Sequence, residues 1–204
     1  MKKYLLMVLL LGLSGAIDAA AQDAAGAAAG AAANDPEPKV RLTTTLGNID
    51  VVLFPDRAPL SVANFLRLVD DGFYDGLIFH RVIANFMIQA GGFDAEMNYR
   101  DVPGTVANES FNGLKNRKFR LAMARQNDPD SAGAQFFINV RTNPHLDATS
   151  RQPGYSVFGE VIDGQNVVQE IELVDTANFT MDDGSKMAAV PETPVVIIEA
   201  TRLP

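Results

Sequence analysis

The 204-residue chain has no cysteine, no tryptophan and only two histidines. Without thiols it can form no disulfide, thiolate nucleophile, zinc–thiolate site or cysteine-linked lipid. Two imidazoles leave little for a multi-histidine metal centre. Positive charge is also scarce: 17 Lys and Arg stand against 25 Asp and Glu, a formal charge of −8. Such a balance argues against a surface that tracks nucleic-acid phosphates. The chain contains no G-x-S-x-G, H-E-x-x-H, P-loop or G-x-G-x-x-G motif. Asp128-Pro-Asp130-Ser-Ala-Gly133 opens like a calcium loop, but its fifth position is Ala132 and its twelfth Asn139. No cofactor and no metal are expected.

Long hydrophobic runs are lacking too. The longest, Tyr4–Leu13, follows Lys2 and Lys3 and precedes small residues ending Ala19-Ala20-Ala21. These are the three parts of a secretory signal peptide over residues 1–21. Ten apolar residues fall short of the roughly 20 a membrane span needs. No stable span is expected once the signal is removed. Residues 22–38 are rich in Ala, Gly and Pro, with no aromatic or β-branched side chain to bury, and read as a disordered linker. A single domain is then expected over 39–204. A cysteine-free exported chain points to the periplasm, with secretion as the other outcome.

Val40–Thr45 alternates and is rich in β-branched residues, Leu46-Gly47-Asn48 supplies a turn, and Ile49–Phe54 is a second strand, which together predict a hairpin. Pro59 suits the first turn of a helix. Val62, Phe65, Leu66 and Val69 follow at helical spacing, and Gly72 stops the run. Further strands are predicted at Ile78–Ile83, Met87–Gly91, Phe119–Ala124, Gln135–Val140, Ser156–Ile162 and Val195–Ala200, with a short helix over Gln165–Leu173. Asp94–Lys118 lacks periodicity and is expected to be a long ordered loop. Many strands, two helices and no βαβ rhythm predict a mostly β domain, an antiparallel barrel or sandwich.

Three blocks carry chemistry. The first is Phe79-His-Arg81-Val-Ile-Ala-Asn-Phe86-Met87-Ile-Gln89-Ala-Gly-Gly92. The second is Leu121-Ala-Met-Ala124-Arg125, with Ser131 and Gln135-Phe-Phe137-Ile138 after it. The third is Leu146-Asp147, then Tyr155-Ser-Val-Phe-Gly-Glu-Val161. In this order the blocks closely resemble the signature of cyclophilin-type peptidyl-prolyl cis–trans isomerases, with the bacterial periplasmic branch the best fit. The resemblance implies a closed antiparallel eight-stranded barrel capped by two α-helices. It also implies rotation about X–Pro bonds in unfolded or flexible polypeptides. It places Arg81 and Gln89 at the reacting bond and Phe86, Met87, Phe137 and Leu146 around the proline ring. The Ala124–Arg125 backbone, Gln135 and Tyr155 complete the groove. A monomer is expected. His145 stands where cyclosporin-sensitive members place Trp, so weak cyclosporin binding is expected.

The residues suit that chemistry in their own right. Resonance opposes amide rotation by roughly 18–20 kcal/mol, and X–Pro exchange takes about 10–100 s. Twisting the imide returns a lone pair to the prolyl nitrogen. A fixed N–H donor aimed there stabilises only the twisted form, and Arg81 offers a permanent charge and a rigid fork of donors. Phe136 and Phe137 are adjacent, so they face opposite ways; Phe137 is assigned to the groove and Phe136 to the core. His80 is expected to be structural and to face away from Arg81. Other readings from the sequence are a non-catalytic chaperone module that binds proline peptides, and a barrel enclosing a small apolar ligand.

Overall fold

The computed structural model describes residues 37–204, so the expected signal peptide and nearly all of the expected linker lie outside the described residues. The element order is β1 (Lys39–Thr44), β2 (Gly47–Leu53), α1 (Pro59–Asp70), β3 (Leu77–Ile83), β4 (Met87–Asp94), β5 (Arg120–Met123) and β6 (Phe136–Asn139). A short 3₁₀ turn (Pro144–Leu146) leads to β7 (Val157–Asp163), α2 (Gln165–Glu172), β8 (Thr176–Thr180), β9 (Lys186–Pro191) and β10 (Ile197–Leu203).

Eight strands form one antiparallel sheet in the order β10-β1-β2-β7-β5-β6-β4-β3. The sheet curls until its edge strands approach, but they share one bridge, Ile78 with Val196, and the bonds Gly76 N–H to Ile197 O (2.8 Å) and Phe79 N–H to Val195 O (2.9 Å). The barrel is therefore not fully closed as expected; it is a curled sheet with a narrow seam. An unexpected hairpin, β8–β9, lies against β3 beside that seam, where Val190 packs with Ile78, Phe93 and Met97.

The inner face of the sheet packs on α1. Phe65 sits 5.2 Å from Tyr74, 5.4 Å edge-on from Phe136 and 5.2 Å from Phe158. The buried Tyr74 hydroxyl donates to Ala134 O at 2.9 Å, and burial pushes its phenol pKa up. Val62, Phe65, Leu66 and Val69 are all buried, as their spacing predicts, and Val167, Val168 and Ile171 of α2 likewise. Ala58 at the start of α1 has no side chain to cap it. The cap comes instead from Glu109, which accepts from Leu60 N–H (2.9 Å), Ser61 N–H (2.8 Å) and the Ser61 hydroxyl (2.6 Å). A carboxylate at a helix N-terminus satisfies orphan donors and the helix dipole together. Residues 95–119 thus form the expected long loop, tied to the fold by such bonds.

Candidate active site

The candidate site lies on the outer face of β3, β4, β6 and β5. Arg81 is paired across the ladder with Gln89, Gln89 with Phe137, and Phe137 with Ala122. Gln89 follows Met87 by two positions and shares its face, as strand alternation requires. Arg81 arrives there by a β-bulge. Phe79 pairs with Ala90 and Arg81 with Gln89, so two steps along β3 match one along β4. His80 is the extra residue. In an unbroken strand Arg81, two positions after Phe79, would share its inner face; the bulge at His80 breaks that alternation and turns Arg81 outward opposite Gln89, a common use of bulges beside functional sites.

His80 is 2% exposed and packs its ring 4.9 Å from Phe93. Its Nδ1 has no hydrogen-bond partner among the described residues. Burial lowers its pKa to about 4, the Arg81 charge adds slightly, and the Ile78 carbonyl and Gln135 side chain pull the other way. The ring is neutral at physiological pH. Arg81 itself is half-buried and forms no ion pair or side-chain hydrogen bond with another described residue.

Next to this row lies an apolar cluster of Met87, Ala122, Phe137, Leu146 and Val157, with Phe86, Ala124 and Tyr155 packed on its rim. Phe137 meets Tyr155 edge-on at 5.5 Å, while Phe136 joins the opposite, inner core. Phe86 stacks on His145 at 5.5 Å. Gln89 Nε2 donates to Gln135 Oε1 at 2.8 Å. Gln135 lies directly over Gly92, where a Cβ would come within 2.6 Å of its Nε2. Gln89, Ala124, Arg125 and Gln135 also border an adjoining pocket of about 270 Å³, whose far wall is Tyr99–Val102 of the long loop. Nine of the ten residues singled out in the sequence thus belong to the apolar cluster or border this pocket, and Arg81 lies beside them, opposite Gln89 in the row.

The Arg125 side chain is more than a surface charge. It lies 4.8 Å over the Tyr155 ring and donates to the carbonyls of Gly154 (3.2 Å), Gln126 (2.8 Å) and Pro153 (3.2 Å). Asn85 adopts φ 58°, a left-handed turn position that Asn tolerates. Ala90 is ordinary strand, and the positive φ falls on Gly91 at 88°.

Several residues escape sequence reasoning. Asn143 Nδ2 donates to Phe86 O and to Asn139 Oδ1, both at 2.8 Å; Asn139 Nδ2 donates to Arg120 O at 3.0 Å and Asn116 Oδ1 at 3.3 Å. Asn116 in turn donates to Asp147 Oδ1 from its N–H (2.7 Å) and its Nδ2 (3.0 Å). This buried chain fixes both the Phe86 turn and the Leu146 wall. The one available signal was an Asn inside the apolar run Phe136–Val140.

Residues 39–202 match the family model for cyclophilin-type peptidyl-prolyl cis-trans isomerases. The chain belongs to that family. It is 47% identical over 159 residues to a peptidyl-prolyl cis-trans isomerase of Acinetobacter baylyi, covering 78% of this chain and 82% of the relative. It is 44% identical over 165 residues to peptidyl-prolyl cis-trans isomerase B of Escherichia coli, covering 79% and 98%. A Cryptosporidium parvum cyclophilin-type isomerase, crystallised in the presence of the dipeptide Ala-Pro, superposes with TM-score 0.66 at 26% identity, covering 81% and 99%. The domain is a cyclophilin-type peptidyl-prolyl cis–trans isomerase.

Proposed function

We propose that this cyclophilin turns X–Pro bonds of exported, unfolded or flexible polypeptides by a donor mechanism centred on Arg81. The proline ring enters the notch of Phe86, Met87, Phe137 and Leu146. Ala124 and Arg125 hold the adjoining backbone in β-like fashion, with Gln135 and Tyr155 completing the groove. Arg81, oriented from across the ladder by Gln89, donates to the prolyl nitrogen as the imide twists. Two strand spacings, about 10 Å, separate the Arg81 and Phe137 positions, and an arginine side chain plus a proline ring fill that span. The observation that carries this reading is the bulge at His80, which sets Arg81 opposite Gln89, where it forms no ion pair or side-chain hydrogen bond with another described residue.

A charge-assisted hydrogen bond is worth roughly 1.5–3 kcal/mol. An Arg81→Ala variant should therefore lose roughly 10- to 100-fold in kcat/KM in a proline-peptide isomerisation assay. Equal turnover by variant and wild type would overturn the donor mechanism; peptide binding with no turnover by either would leave a docking module. Export rests on the sequence pattern of residues 1–21, with 22–38 as spacer and 39–204 as the working domain in the periplasm. N-terminal sequencing of the exported protein should begin near Gln22; a retained Met1 would contradict cleavage.

A further inference from the structure

Lys115, Arg117, Lys118 and Arg141 form a cationic rim on a chain whose net charge is −8. All four are exposed. The topology puts them together, because 115–119 runs beside 139–143. Phe119 N–H donates to Asn139 O at 2.7 Å, Asn143 N–H to Asn116 O at 2.8 Å, and Lys118 N–H to the Thr142 hydroxyl at 3.4 Å. None of the four forms an ion pair with another described residue. The carboxylates on the adjoining segments are already engaged: Asp147 by Asn116, Glu160 by Arg120 at 3.3 Å, and Glu172 by the Asn85 N–H at 2.7 Å. Lys118 is steadied over the Phe119 ring at 4.8 Å.

The rim adjoins the proline notch. Arg141 precedes by two residues Asn143, which bonds the Phe86 carbonyl, and Pro144–Leu146 follow as the notch wall. Four cations that form no ion pair among the described residues repel one another, a cost that the contact of Lys118 with the Phe119 ring offsets only in part. Their positive potential extends over about a Debye length, roughly 8 Å at physiological salt, far enough to reach a chain leaving the notch.

We propose that this rim is a docking surface for acidic stretches of the polypeptide whose proline occupies the notch. The partner class is a client rich in Asp or Glu next to its proline. The inference rests on the prolyl-isomerase reading of the notch and adds a preference to it. The interaction is exposed, so it acts through encounter rate and weak, salt-sensitive affinity.

The test compares peptides with one common X–Pro core: one with neutral Gly/Ser flanks, one with an acidic run before the core and one with the run after it. With the full chain at low salt, kcat/KM for at least one acidic peptide should exceed the neutral one about 5- to 10-fold, and the excess should vanish near 0.5 M salt. K115S/R117S/K118S/R141S should abolish the excess and leave neutral-peptide turnover unchanged. If the quadruple variant misfolds, Arg141→Glu alone should reduce the excess. No excess, or one that survives these substitutions, would overturn the rim. Failure of wild type on the neutral peptide would instead count against the isomerase reading itself. The same variants should not change co-sedimentation with phosphatidylserine vesicles or retention of a single-stranded oligonucleotide. Rim-dependent binding to either, without an acidic-peptide excess, would overturn the assignment in favour of that partner.

Discussion

On their inner face β4, β6 and β5 carry Ile88, Ile138 and Leu121 in register, all fully shielded from solvent. One residue along, the same strands turn Gln89, Phe137 and Ala122 outward, with Arg81 joining across β3. The backbone is shared; the demands differ. The inner row is apolar and holds the sheet to α1. The outer row sets an amide and a cation beside an aromatic wall, the groups on which the proposed mechanism draws. Strand alternation keeps the two apart, and the bulge that absorbs His80 breaks the alternation so that Arg81, two residues after the inward Phe79, joins the outer set.

Substitutions should separate the faces. The largest effect is expected inside: Phe136→Ala removes an aromatic in contact with Phe65 and Tyr74 and should cost about 3–5 kcal/mol in urea denaturation. Arg81→Ala should stay within about 0.5 kcal/mol of wild type in that assay. Equal losses would break the comparison.

Next comes the bulge. The His80 pKa is about 4 in the fold against 6.5 in an open chain. Protons therefore favour the unfolded state as pH falls from 6.5 towards 4, whereas above 6.5 the full stability is present. Between pH 7 and 4.5 wild type should lose about 2–3 kcal/mol more than His80→Gln. Identical pH profiles would mean that the bulge is not anchored by a dry, neutral ring.

A smaller effect is expected at the notch wall. Asn143→Ala leaves Phe86 O and Asn139 Oδ1 without a donor from that amide, at a cost of about 1–2 kcal/mol. KM for a proline peptide should rise several-fold with kcat nearly kept, the pattern of lost uniform binding. A fall in kcat alone would place the asparagine chain closer to the chemistry than its geometry does.

Local pattern carried most of the architecture. Short apolar and β-branched runs, alternating in Val40–Thr45, marked the eight strands of the main sheet, the Val62–Val69 stripe marked α1, and adjacency separated Phe136 from Phe137. Three ordered blocks carried the family. What stayed hidden depends on partners distant in the chain. Glu109 caps α1 from 48 residues away, and the asparagine chain joins four segments. β8 is exposed at all five positions, so it has no apolar alternation to read. The His80 bulge is a mismatch between two strands and exists in neither alone. Full closure was an overstatement because it depends on how far the β3 and β10 edges can pair.

The central claim is that Arg81 acts on the twisted imide and not on the resting substrate. NMR exchange spectroscopy at saturating enzyme reads this directly, as the on-enzyme cis–trans rate of a bound X–Pro peptide. Arg81→Ala should slow that rate roughly 10- to 100-fold and leave the peptide Kd within about twofold. A rate unchanged on the enzyme, with the loss appearing in Kd instead, would contradict it.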